Sequence, residues 1–165
     1  MGQPAARITD SVAHPLPSML TGSLGSPTVR IGGLAAWRGV SLAAAAAIQS
    51  AKATSDAAIQ AAEAATIAAA GTPGAPAVKT TEETTKATAA TTMGSMITAS
   101  AGGADIHNCA TLLPLPPHGP GVVIDGSQTV LINGLSACFL GNTIVEAVGP
   151  PNKIVMGCLT VRIGP

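Results

Sequence analysis

A short phrase occurs three times in this chain, and one folding rule must serve all three copies. Gly25-Ser26-Pro27-Thr28-Val29-Arg30-Ile31-Gly32-Gly33 is matched by Gly126-Ser127-Gln128-Thr129-Val130-Leu131-Ile132-Asn133-Gly134 and by Gly157-Cys158-Leu159-Thr160-Val161-Arg162-Ile163-Gly164-Pro165. A repeat outranks other sequence signals, because each copy is a structural unit that cannot bury its apolar face alone. Each copy reads as a turn, a short strand and a second turn. Alternation along a strand puts Val29/Ile31, Val130/Ile132 and Val161/Ile163 on one face of their copies. The three faces are expected to bury against each other in a compact, three-lobed β unit. The second copy trails the first by far more chain than the third trails the second, and the excess matches Val40–Gly102.

That excess has a composition of its own. Val40 to Ala70 is dominated by Ala, the strongest helix former, and Gly71-Thr72-Pro73-Gly74-Ala75-Pro76 stops it. A second helical stretch reads from about Thr80 to Thr98, with Glu82 and Lys86 one turn apart and Met93, Met96 and Ile97 on one face. The expected architecture is a mainly β domain interrupted by a helical hairpin. Residues 1–39 form its first β part, 40–102 the insertion and 103–165 the second β part.

The length of 165 residues suits one domain with an embellishment. Eight basic residues balance eight acidic ones, so there is no electrostatic footprint for nucleic acid. Trp37 and Phe139, with no Tyr, leave no stacking platform for single strands. A core built from Val, Ile, Leu and Ala is thin, and a thin core calls for a staple. Three cysteines, Cys109, Cys138 and Cys158, are an odd number without framework spacing, which fits a reducing compartment better than a disulfide scaffold. The stretch Met1-Gly2-Gln3-Pro4-Ala5-Ala6-Arg7 has no apolar region of a signal peptide. Lys52, Asp56 and Glu63 interrupt the Ala-rich run, so it does not read as a membrane span.

The three histidines, His14, His107 and His118, all fall in the β parts, in segments that read as loops. Cys109 follows His107 by two residues. Three imidazoles and one thiolate make a complete tetrahedral zinc set, and a closed site of that kind adds folding free energy to a small core. Asp10 to His14 and Asp105 to Cys109 share one offset, which places His14 and Cys109 at equivalent points of two lobes. Cys158 is the rival fourth ligand, in the turn where the other copies have Ser26 and Ser127. The plainer alternative leaves these as unrelated loop residues on a Pro-rich surface. Cys138 reads as a small buried hydrophobe. A catalytic zinc needs an open position and a nearby base. Asp10 and Asp105 instead stand where structural turn residues would, and no Gly-x-Ser-x-Gly, His-Glu-x-x-His or phosphate loop occurs. The chain does not read as an enzyme.

Pro4-Ala5-Ala6-Arg7-Ile8-Thr9-Asp10, the repeated Gly-Ser-Pro-Thr-Val-x-Ile-Gly-Gly phrase, Asp105-Ile106-His107-Asn108-Cys109, Pro117-His118-Gly119 and Val148-Gly149-Pro150-Pro151 together resemble the PAAR-repeat proteins. These cap the spike of type VI secretion and related contractile injection machines. The likeness covers roughly residues 2–39 and 103–165. It implies a small conical β domain with a structural Zn2+ near its vertex, held by His14, His107, Cys109 and His118. It also implies docking on a trimeric VgrG-type spike, cytoplasmic residence before firing, and injection without a signal peptide with transient contact to the target membrane. The insertion lies outside the likeness, and the second functional reading makes its helices an adaptor for an effector or chaperone. A zinc hydrolase is the remote third. The chain departs from the family at Ala147, where members often carry Cys, and at Ser136-Ala137-Cys138-Phe139, the third version of Pro-Ala-Ala-Arg.

Overall fold

The computed structural model of the chain describes residues 2–13, 18–109 and 117–164, with the backbone alone at Ser18. Five short strands come first: β1 (Gln3–Ala5), β2 (Ser11–Val12), β3 (Ser18–Met19), β4 (Arg30–Ile31) and β5 (Leu34–Ala35). Two helices follow, α1 (Leu42–Ala68) and α2 (Ala75–Ser100). The remaining strands are β6 (His107–Cys109), β7 (Gly119–Val123), β8 (Leu131–Ile132), β9 (Leu135–Ser136), β10 (Thr143–Glu146), β11 (Asn152–Lys153) and β12 (Cys158–Ile163). A four-stranded antiparallel sheet has the order β11-β10-β7-β6, and β1 pairs with β12.

This corrects the expectation of a mainly β, conical PAAR-type domain. The chain is mixed α and β, with its strands in a curled, half-barrel arrangement. The helices, 27 and 26 residues long, are its longest elements. The physical reason lies in the core. Strands of a few residues cannot cover one another, so Ile48 of α1 and Met93 and Ile97 of α2 pack with Val40, Val122, Val145 and Ala147. The helices therefore supply one side of the hydrophobic interior.

Local chemistry explains the helix limits. The Ser41 hydroxyl accepts from the Ala44 N–H and starts α1. The break before α2 carries Gly71 at φ 78° and Gly74, with Pro76 in the first turn of α2. The two helices run antiparallel, tied by Lys86, which contacts Glu63 and Glu82 at 2.6 Å each. Burial pulls the Lys86 ammonium down, but its hydrogen bonds to Glu63 and Glu82 raise it overall. The Glu82 carboxyl is buried and held down at about 2 by Lys86, Thr66 and Lys79. A carboxyl lowered by folding stabilises the native state above the ordinary carboxylate range. That stability drains as the pH falls from about 4.5 toward 2. Thermal melts followed by helix circular dichroism should thus drop more steeply over that window in the wild type than in Glu82→Gln.

The repeat copies share one turn. Ser26 Oγ accepts from the Val29 N–H and Ser127 Oγ from the Val130 N–H, each at 3.0 Å. In the third copy the Cys158 thiol takes the same place, 3.2 Å from Thr160 Oγ1, and that hydrogen bond lowers its pKa. The expected Val/Ile face is only half right. Ile31, Ile132 and Ile163 are 5–7% exposed and pack with Ala5, Ala36 and Ala137, with Val29 partly buried against them, whereas Val130 and Val161 are each 38% exposed. In the first two copies the Val belongs to the turn, because the strands there are only two residues long.

Three backbone segments close a ring. Ala6 N donates to Cys138 O (2.9 Å), Cys138 N to Trp37 O (3.1 Å) and Trp37 N to Ala6 O (3.0 Å). Each segment runs into an equivalent corner. Arg7 N and the Arg7 guanidinium donate to Asp10, and Arg38 does the same to Asp105. In the third corner Phe139 N donates to Asn142 Oδ1 at 2.7 Å, so an amide stands where the other two have a carboxylate. The side chains of Trp37, Ala6 and Cys138 are fully buried in one cluster with Leu20, Ile144 and Ile154.

Candidate metal centre

Strand register builds the site. β6 lies against β7 with His107 opposite Gly121 and Cys109 opposite Gly119. β10 lies on the other side of β7 with Glu146 opposite Gly121. His107 and Glu146 thus flank a residue with no side chain, and the two reach each other across it. A Cβ at Gly121 would stand 2.7 Å from Glu146 Cγ and 3.0 Å from Ile144 Cγ2. Alternation along β6 turns His107 and Cys109 to the same, buried side while Asn108 is exposed.

The ligand atoms of His107, Cys109 and Glu146 lie within 4.8 Å of one another, and all three residues are buried. Imidazole nitrogen, thiol sulfur and carboxylate oxygen are metal donors, so this cluster could hold a metal ion. Glu146 is completely buried. Its Oε1 is 3.5 Å from His107 Nε2, and its Oε2 is 2.8 Å from His118 Nδ1. Asn152 Nδ2 donates to the same Oε2 at 2.9 Å. His118 lies just before β7, and its ring packs on Gly149, where a Cβ would come 3.0 Å from Nε2. Gly149 is at φ 89° and its carbonyl accepts from Lys52 of α1 at 2.9 Å. Gly94 of α2 faces Pro120 and Ala147 closely enough that a Cβ there would touch both. Both helices therefore abut the loop and strands that carry the cluster.

Of the residues singled out by sequence, His107 and Cys109 come together on a strand, where a loop was expected. His118 sits beside them, joined to Glu146. His14 lies outside the described residues. Cys158 caps the third repeat turn and is not a member of the cluster. Cys138 is fully buried, and burial pushes its thiol well up. Sequence reasoning missed Glu146. Its signal was a single carboxylate inside the apolar run Thr143-Ile144-Val145-Glu146-Ala147-Val148, a placement that demands a partner. Ala147, where the resembling family often has Cys, packs against α2 in the apolar cluster.

Gly121→Ala should separate His107 from Glu146. If the cluster holds a divalent metal, titration against a competing chelator is expected to show a loss of affinity of about tenfold or more.

No family model, curated protein or solved structure matches the chain. Among the described residues, no helix is long and apolar enough to cross a membrane.

Proposed function

We propose that this chain is a non-enzymatic, Zn2+-stabilised spike tip of PAAR type, which caps a trimeric VgrG-like spike of a contractile injection machine and travels with it. The observation that carries the reading is the closed backbone ring of Ala6, Trp37 and Cys138. One chain that presents three near-equivalent segments around an axis can meet a three-fold partner without itself being a trimer. Exposed Val130, Leu131, Leu159 and Val161 all belong to repeat copies and offer apolar surface for such a partner. Strand ends at the repeats could extend the partner's sheet edges.

Zinc is favoured by the donor chemistry, since a thiolate with an imidazole suits it better than a hard cation such as Mg2+. In this reading the metal stiffens the sheet β11-β10-β7-β6 from within, and the tip rests in the cytoplasm until it is fired. The test is native mass spectrometry of the chain mixed with a trimeric spike protein. One copy per trimer supports the proposal. Three copies per trimer, or none, contradicts it. Metal content of His14→Ala, His107→Ala, Cys109→Ser and His118→Ala, compared with the wild type, tests the zinc.

A second reading has one observation of its own. A groove between the helices, lined by Ala51, Ala58, Thr81, Thr85, Thr88 and Met96, is open and largely apolar. It would suit a helix of an effector or chaperone loaded on the spike. Pull-down of cargo by the wild type but not by Thr85→Glu would favour that role.

A further inference from the structure

We infer that Glu146 is itself a metal ligand, through Oε1 alone, and that His118 is a positioning residue held on the other oxygen. This rests on the reading that the cluster binds a metal.

The distance between Glu146 Oε1 and His107 Nε2 carries the assignment. At 3.5 Å it is long for a hydrogen bond. It is, however, the separation that a shared ion imposes. Two oxygen or nitrogen ligands at about 2.0–2.1 Å on a tetrahedral ion stand about 3.3–3.4 Å apart. Cys109 Sγ falls within the same 4.8 Å cluster, near enough for the three donors to share one ion. The other carboxylate oxygen is already engaged. Oε2 accepts from Asn152 Nδ2 at 2.9 Å and lies 2.8 Å from His118 Nδ1. Both contacts turn Oε1 toward His107 and Cys109 and make the carboxylate monodentate. A ligating carboxylate held by hydrogen bonds in this way is common around metals, and the holding residues tune affinity from outside.

Charge supports the same assignment. Glu146 is fully buried and Cys109 nearly so. A thiolate and a carboxylate neutralise a divalent ion in the interior, where uncompensated charge is costly. Among the described residues, these three donors would leave one of four tetrahedral positions to another ligand.

The test uses the full chain loaded with Zn2+ alone, and with Co2+ as a spectroscopic stand-in. Zinc-edge X-ray absorption of the wild type should show one sulfur and a number of imidazole rings that does not fall in His118→Asn. Cobalt spectra should show thiolate charge transfer that is lost in Cys109→Ser. Glu146→Gln should shift the cobalt d–d bands and weaken Zn2+ by about 100-fold or more. His118→Asn should leave the bands in place and weaken Zn2+ by about 10- to 100-fold. Should Glu146→Gln fail to fold, Glu146→Asp takes its place, and its shortened carboxylate should likewise shift the cobalt bands, while the His118→Asn ring count tests His118. Unchanged bands in Glu146→Gln, or a ring lost in His118→Asn, overturns the assignment while leaving the metal reading intact. A wild type that takes up neither Zn2+ nor Co2+ overturns both.

Discussion

Excision of residues 42–100, with Ser41 and Ala101 joined by a short Gly/Ser linker, is expected to abolish the cooperative unfolding of what remains. The flanks can be joined, because Val40, Ala101 and Ala104 lie in one cluster. The loss comes from what the helices cover. Val122, Val145 and Ala147 are 0–3% exposed, and each packs in the cluster with Ile48, Met93 and Ile97. Uncovering the two valines alone costs about 3–6 kcal/mol. That is a large part of a typical domain's margin of about 5–15 kcal/mol. The Gly149 carbonyl would also lose Lys52. Differential scanning calorimetry should show a broad, weak transition, and a hydrophobic dye should bind at room temperature. A sharp melt in the excised chain would mean that the β segments fold without the helices. The excision is therefore a poor way to separate a docking role from a cargo role, and point changes on the exposed helix groove are the better instrument.

The second large effect is expected at the corners of the ring. Asp105→Ala should destabilise the chain by about 3–5 kcal/mol, because it strands the Arg38 guanidinium in a nearly buried place. Asp105 is 2% exposed and receives three hydrogen bonds from Arg38, one of them from the backbone N–H. Asp10→Ala should behave alike, since Arg7 makes the same three contacts to Asp10. Asn142→Ala should be milder, about 1–3 kcal/mol, because it leaves the Phe139 N–H and the Asp125 carbonyl unpaired without stranding a charge. Urea unfolding of the three variants measures the order. If Asn142→Ala proves as damaging as the aspartate changes, the charge of the first two corners contributes little.

Much of this was legible in the repeats. The shared Gly-x-x-Thr-Val-x-Ile phrase marked the three turns, and the matching offsets of Asp10 and Asp105 marked two corners as structural. The break at Gly71–Pro76 marked the hairpin. What could not be read was how much the helices contribute to the interior. A helical hairpin with Ile48 on α1 and Ile97 on α2 among small residues looks like an appendage, since its bulky apolar side chains are few. Only packing shows those few in the main core. Glu146 was hidden for a different reason. It lies far from Cys109 in the chain, and only the register of β6, β7 and β10 across Gly121 unites it with His107. Sequence periodicity sets which face a residue takes along a strand, but not which strand lies alongside.

The backbone ring also bears on when the molecule can fold. Ala6 and Trp37 are made early, yet each shares the ring with Cys138, which emerges from the ribosome after both helices. β1 waits longer still, for its partner β12. Contacts of such wide sequence separation form slowly, because loop closure precedes the reward of pairing. The hairpin of α1 and α2 is local and can form first, leaving Ile48, Met93 and Ile97 uncovered in the meantime. The order of synthesis therefore predicts that a chain stalled before β12 emerges exposes these side chains, which limited proteolysis of stalled chains would report.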